Sequence, residues 1–351
     1  MHHYLNLNVQ WLSYVTRKQS LEKTLLRTFT QLKETLNQQI LGQEALVERL
    51  LIALLANGHL LVEGAPGLAK TRAINELSNF VQGDFQRIQF TPDLLPADLT
   101  GTEIYRPEDA SFRFQPGPLF HNLILADEIN RAPAKVQSAL LEAMAERHIS
   151  IGHKTYPLDD LFLVMATQNP IEQEGTYPLP EAQLDRFLMH VKVNYPAPDV
   201  EKHILKLVRK EAKSAQYADK QTKSDTPIVS MEQIMLARRE VLSLYMVESV
   251  EDYLVRLISS SRDPGMHLGR DGEQLSRWVA YGASPRGTLA LDSCARAHAW
   301  LAGRDYVSPE DIQAIAPDVL RHRILLSFEA EAEGITTDEL ISQLLQLVAS
   351  P

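Results

Sequence analysis

A single cysteine, Cys294, stands in 351 residues. No internal disulfide can form, and a reducing, cytoplasmic setting is the expectation. Long apolar runs are missing as well. Leu50 to Ala56, the longest in the first helical segment, falls far short of the roughly 20 residues that cross a bilayer, so no membrane span is expected. The start of the chain has no basic stretch leading into an apolar one, which argues against secretion. There is no basic block either: 35 Lys and Arg stand against 45 Asp and Glu, a formal charge of −10, and a phosphate backbone is a disfavoured partner. Fixed-period repeats, paired CxxC motifs and a G-x-S-x-G elbow are all absent, which removes solenoids, zinc ribbons and serine hydrolases.

What is present is ordinary globular material. Hydrophobic residues make up 44% and charged residues 23%, enough apolar content for a large core, and the length suits about two domains. From Leu41 to Tyr195, short runs apolar nearly throughout alternate with helical patterns. His59 to Glu63, Phe85 to Phe90, Leu123 to Ala126, Leu161 to Thr167 and Leu188 to Val193 read as strands of a parallel sheet covered on both faces. Residues 1–30 read as a helical extension, with helical pattern from Gln19 to Gln39, and 31–198 as the α/β core. Residues 199–229, polar and charged from Arg209 to Pro227, read as a solvated linker, and 230–351 as a helical domain. Helix starts there are explicit at Ser284-Pro285, Ser308-Pro309 and Thr336 with Glu339.

The first strand runs into Gly64, Ala65, Pro66, Gly67, Leu68, Ala69, Lys70, Thr71 and Arg72, and then a helix. Such a loop turns backbone N–H groups toward phosphate oxygens at a helix N-terminus. Lys70 would reach the β- and γ-phosphates, and the Thr71 hydroxyl would hold Mg²⁺. Ala69 stands where the strict motif has glycine, which is acceptable at negative φ. An ordinary glycine-containing turn is the competing reading. A second apolar run ends in Asp127 and Glu128, acids that must emerge at the carboxyl edge of the sheet rather than stay inside it. Asp127 would serve the metal and Glu128 the attacking water, against the alternative of a solvated strand end. Asn169, at the tip of the fourth strand, offers an amide to a phosphate or a water. Arg186 precedes the fifth strand. Arg286 sits in the first turn of a helix, where a cation opposes the helix dipole and so points to a nearby anion. Cys294 with His298 falls short of a metal site, and His322 is expected on a solvated helix face.

Taken in order, these segments resemble the AAA+ ATPases, and specifically the MoxR family. Gly64 to Thr71 matches Walker A, Leu123 to Arg131 Walker B, Met165 to Pro170 sensor 1, Glu181 to Phe187 the arginine finger and Gly282 to Thr288 sensor 2. The resemblance implies a P-loop NTPase αβα core followed by an all-α lid. It further implies ATP, ADP and Mg²⁺ as ligands, hydrolysis in a ring of the chain's own copies, six being expected, and chaperone-like remodelling of client proteins. Family members often work with von Willebrand factor A domain partners. Arg186 would act on a neighbour's nucleotide; for Arg286 the resemblance leaves cis and trans open. Arg131 near the acid pair is expected in an internal salt bridge. Two inserts, Thr102–Tyr105 with Phe112–Gln115 and His148 to Leu158 with Gly152 at its tip, read as hairpins facing a pore or client, or else as surface decoration. A nucleotide-gated scaffold with little turnover and a DNA-stimulated ATPase are the competing functions.

Overall fold

In the computed structural model the described residues are 23–351 apart from 66, 69, 171–174 and 218–227. Each of the five expected strands forms: β1 (Leu60–Gly64), β2 (Phe85–Gln89), β3 (Leu123–Asp127), β4 (Leu163–Gln168) and β5 (Met189–Val193). They pair in parallel in the order β2-β3-β4-β1-β5. Successive side chains point to opposite faces of a strand, and the packing divides accordingly. Leu60, Val62, Leu123, Leu125, Leu163 and Met165 join one apolar cluster with the helices Glu44–Leu55 and Lys70–Phe80, and that cluster continues into the lid. Leu61, Ile124, Ala126, Val164 and Ala166 join a second cluster with the helix Ala134–Glu146.

Strand β2 departs from the expected apolar character. It is an edge strand in which Ile88 is buried while Arg87 and Gln89 are exposed, because a strand with one neighbour needs only part of its surface covered. The helix over 23–39 buries Leu25, Phe29, Leu32 and Leu36 in the larger cluster, so a boundary at residue 30 would cut through it. Residues 1–22 of the expected extension, and the start of its helical pattern at Gln19, lie outside the described residues. Within the expected linker, Pro198–Tyr217 is helical rather than an irregular tether, with Asp199 and Glu201 in its first turn, where acids complement the helix dipole; 218–227 lie outside the described residues.

After it come the lid helices Met231–Ser243, Glu248–Arg262, Pro285–Leu301, Pro309–Leu320 and Thr337–Leu347, with shorter helical turns between them. Capping boxes at Ser230, Ser308 and Thr336 start three of them. Short strand pairs stitch the lid, Tyr245–Met246 beside Tyr306–Val307 and Val279–Tyr281 beside Leu325–Leu326. The two inserts are hairpins, Gly101–Arg106 with Ser111–Pro116 and His148–Ile151 with Lys154–Pro157. Among the described residues no helix is long and apolar enough to cross a membrane.

Candidate functional site

Parallel pairing carries the carboxyl ends of β1, β3 and β4 to one edge, and with them the residues singled out above. The turn after β1 opens at Gly64, where a Cβ would come 2.8 Å from the Val193 carbonyl oxygen, and passes Gly67 at φ +81°, a backbone that glycine adopts without steric cost. Pro66 and Ala69 lie outside the described residues. Lys70 begins the following helix, and its Nζ donates to the carbonyls of Gly64 at 2.5 Å and Gln168 at 3.1 Å. The ammonium thus spans the mouth of the loop from β1 to the end of β4. Thr71 and Arg72 follow in the first helical turn, half-buried, and Arg72 lies 3.9 Å from Glu76 on the same helix.

Asp127 ends β3 and is buried. Thr167 on β4 donates its hydroxyl to Asp127 Oδ1 at 2.7 Å and accepts the Glu128 backbone N–H at 2.9 Å. That second bond holds Glu128 at φ 58°, ψ 50°, a left-handed conformation that costs a residue with a Cβ about 1–2 kcal/mol. The twist separates the two acids. Asp127 stays against the sheet, where Arg87 reaches its Oδ2 with Nη2 at 2.6 Å and Nε at 3.2 Å. Glu128 turns outward and accepts from Gln89 Nε2 at 2.7 Å, while Arg131 Nε lies 3.1 Å away, the internal bridge expected of that arginine. Arg87 also donates to Gln89 Oε1 at 3.2 Å, so one polar chain links both carboxylates through the edge strand. Asn169, buried, follows directly on Gln168.

Two expected residues stand elsewhere. Arg186 and Arg286 line a cavity of about 430 Å³ together with Gly58, His59, Arg147 and Arg323. Gly58 and His59 precede β1, so the cavity opens at the amino edge of the sheet. The length of the strand, five residues at about 3.3 Å each, keeps it from Lys70. Arg186 Nη1 donates to the Leu141 carbonyl at 2.7 Å, and Arg286 is exposed one residue past Pro285, at the start of the helix capped by Ser284.

His322 is a correction. It is buried, not solvated: its Nε2 donates to the Phe187 carbonyl at 3.1 Å, and burial holds its pKa well below the usual value. Its neighbours Arg321 and Arg323 turn inward with it, Arg321 to the His190 carbonyl and Arg323 to Asp185 at 2.8 Å. The triplet therefore docks the lid on β5. Cys294 is buried with its thiol pKa pushed far up by that burial, and His298 pairs with Asp311 at 2.6 Å. Among the described residues no cluster of metal-ligating side chains is found.

Sequence reasoning gave no role to Arg87, Gln89 or Thr167. The signal for the first two was their spacing of two in an edge strand, with Gln89 in register opposite Asp127. For Thr167 it was a hydroxyl ending an otherwise apolar run.

Residues 59–189 match the model of the ATPase family associated with various cellular activities (AAA), and residues 276–344 the AAA lid domain. The chain is 48% identical over 312 residues to Chaperone MoxR1 of Mycobacterium tuberculosis, covering 89% of this chain and 79% of that protein. It is 41% identical over 319 residues to protein YeaC of Bacillus subtilis, covering 91% and 93%. A solved structure from Cytophaga hutchinsonii, of a protein assigned as an ATPase, superposes with a TM-score of 0.86 at 43% identity, covering 96% of this chain and 99% of that one. These matches, together with a parallel sheet between helices and a helical lid, place the chain in the MoxR family of AAA+ ATPases.

Proposed function

We propose that this chain is a Mg²⁺-dependent ATPase that works in a ring of its own copies and spends the hydrolysis of ATP on remodelling client protein complexes. The observation that carries this reading is the division of the polar groups between two edges of one sheet. Lys70, Asp127, Glu128 and Asn169 lie at the carboxyl edge, and Arg186 and Arg286 at the amino edge. A γ-phosphate held at Lys70 is out of reach of Arg186 and Arg286 of its own chain, while Arg87 and Arg131 at that edge are engaged by Asp127 and Glu128. In a ring, the amino edge of one copy faces the carboxyl edge of the next, and both arginines then act in trans.

Within that arrangement the roles follow from the chemistry of each group. Backbone N–H groups of Gly67, Leu68, Lys70 and Thr71, at the start of the helix, cradle the phosphates, and Lys70 neutralises the β- and γ-oxygens. The Thr71 hydroxyl and Asp127 are hard oxygen donors of the kind Mg²⁺ takes. The Arg87 guanidinium already seated on Asp127 supports the fit, since that carboxylate attracts a cation. Magnesium supplies charge neutralisation between phosphate oxygens when bound. Glu128, turned away from the sheet, orients the attacking water and accepts its proton, and Asn169 holds the water or the phosphate by its amide. Arg186 and Arg286 of the adjoining copy stabilise the charge that develops on the transferred group.

The test is the Glu128→Gln variant. It should retain Mg-ATP and hydrolyse it at least 100-fold more slowly, within the range for loss of a positioned base, and a pull-down in ATP should bring down client along with self-subunits. Lys70→Ala should bind no nucleotide by calorimetry. Full biological activity of Glu128→Gln would favour a scaffold instead, and unchanged binding by Lys70→Ala would end the reading.

A further inference from the structure

We propose that Asp185 is a positioning residue which ties the two arginines to one another across the junction of core and lid; this rests on the trans reading above. Asp185 immediately precedes Arg186 and closes the short helix Glu181–Leu184. Its two carboxylate oxygens are divided between two lid elements. Oδ2 accepts the Ser284 hydroxyl at 2.9 Å, and Oδ1 accepts Arg323 Nε at 2.8 Å. Ser284 is in turn the N-cap of the helix Pro285–Leu301, accepting the Arg286 N–H at 3.1 Å. One carboxylate therefore stands one covalent step from Arg186 and two hydrogen bonds from the backbone of Arg286.

The second oxygen fixes the first. Arg323 has only 2% of its side chain exposed. Its remaining bonds go to the carbonyls of Phe187, Leu188, Val319 and Asp185, so Asp185 is the carboxylate that balances it. An ion pair buried on one side is stiff, because either partner alone would be an uncompensated charge in an apolar surround. The stiffness is passed to Ser284, and the lid arginine is held in register with the core arginine although Arg186 and Arg286 are 100 positions apart in the chain. A transition state that needs both guanidinium groups at once gains from having them placed beforehand.

A structural glue and a positioning residue differ in what a neighbour can repair. Asp185→Asn keeps an oxygen for Ser284 and removes the charge facing Arg323. Ser284→Ala leaves the ion pair intact and removes only the link to the lid helix, and so carries the test if Asp185→Asn fails to fold. Each variant is assayed for binding of a fluorescent ATP analogue, for ATPase activity alone, and for activity when mixed with Lys70→Ala subunits. Both should bind the analogue within about twofold of the parent, since their own P-loops are untouched, and turn over at least tenfold more slowly. Mixing should restore turnover above that of either component, because Lys70→Ala subunits lend intact arginines to the variants' nucleotides. Arg186→Ala mixed with Lys70→Ala is the reference. Rescue in the reference without rescue of the Asp185 and Ser284 variants, or parent rates for those variants alone, overturns the positioning role. No rescue in the reference itself overturns the trans reading, and the proposal with it.

Discussion

At Asp127 and Glu128 the backbone does what two adjacent side chains could not do alone. A left-handed residue between a strand and a 3-10 turn sends one carboxylate back to the sheet and the other outward, and Thr167 holds the kink with a single hydroxyl. The acids were legible in the sequence because two charges after Leu123–Ala126 have nowhere to go but the sheet edge. Of the groups that pair with them, Arg131 was legible too, but Arg87 and Gln89 were not, because they sit in a run whose ends, Phe85 and Phe90, look like a buried strand. Their placement has a measurable consequence. If Asp127 holds magnesium as proposed, Arg87 on its Oδ2 competes for that carboxylate, so Arg87→Ala should lower the Mg²⁺ concentration for half-maximal nucleotide binding by up to about fivefold, the equivalent of a partly exposed ion pair worth about 1 kcal/mol. A magnesium titration with a fluorescent nucleotide reads this directly. An unchanged or higher requirement would show that the guanidinium does not compete.

Among the elements, the hairpins were readable from turn residues, but their contact was not. Phe114 of the first stacks on Tyr156 of the second, ring centroids 4.2 Å apart and 25° between planes, and also meets Phe120 edge-on. Nothing in a one-dimensional pattern links positions 114 and 156. The tip of the first hairpin meanwhile leaves Tyr105 and Phe112 facing solvent as a cross-strand pair, 5.2 Å apart. Such stacking is worth about 0.5–1.5 kcal/mol beyond burial. Phe114→Ala should therefore speed hydrogen exchange in His148–Pro157, a segment it does not belong to, by several-fold, matching a loss of about 1 kcal/mol of local stability. Exchange that rises only in Gly101–Pro116 would mean the two inserts move independently. The helix Pro198–Tyr217 was missed for a different reason: its branched apolar residues Val200, Ile204, Leu205, Leu207 and Val208 all fall before Arg209, and the polar run from there onward reads as a solvated connection.

For the molecule as a whole, buried histidines set the response to acid. His59 accepts the Val164 N–H on Nδ1 at 3.0 Å, so its other nitrogen must carry the proton, donated to the Met144 carbonyl at 3.3 Å. A second proton on Nδ1 would face an N–H. Burial, with Arg147 nearby, pulls its pKa down to about 3 from an ordinary 6.5. The folded value lies below the unfolded one, so the unfolded chain binds more protons between these limits and stability rises with pH across the window, reaching its full value above 6.5. From pH 6.5 to 5 this histidine should contribute a loss of about 2 kcal/mol. His59→Gln, which can still accept and donate, should show a urea-unfolding profile flatter by about that amount over the same range. Equal slopes would show that His59 is not the group responsible. Carboxylates held low by partners, such as Glu63 beside His190, add their losses only in more acid solution.

The lid is riveted rather than hinged. Arg323 reaches Asp185 and the carbonyls of Phe187 and Leu188, Arg321 reaches His190 and Asp318, and Arg49 grips Asp318 at 2.7 Å. Leaving such a buried guanidinium without its carboxylate costs about 3–5 kcal/mol, as much as a ligand at 1,000 times its dissociation constant supplies. A nucleotide would exhaust its whole influence merely loosening that seam. In the ring proposed above, mechanical travel would then be cheapest where one copy abuts another, with each protomer moving as a solid lever.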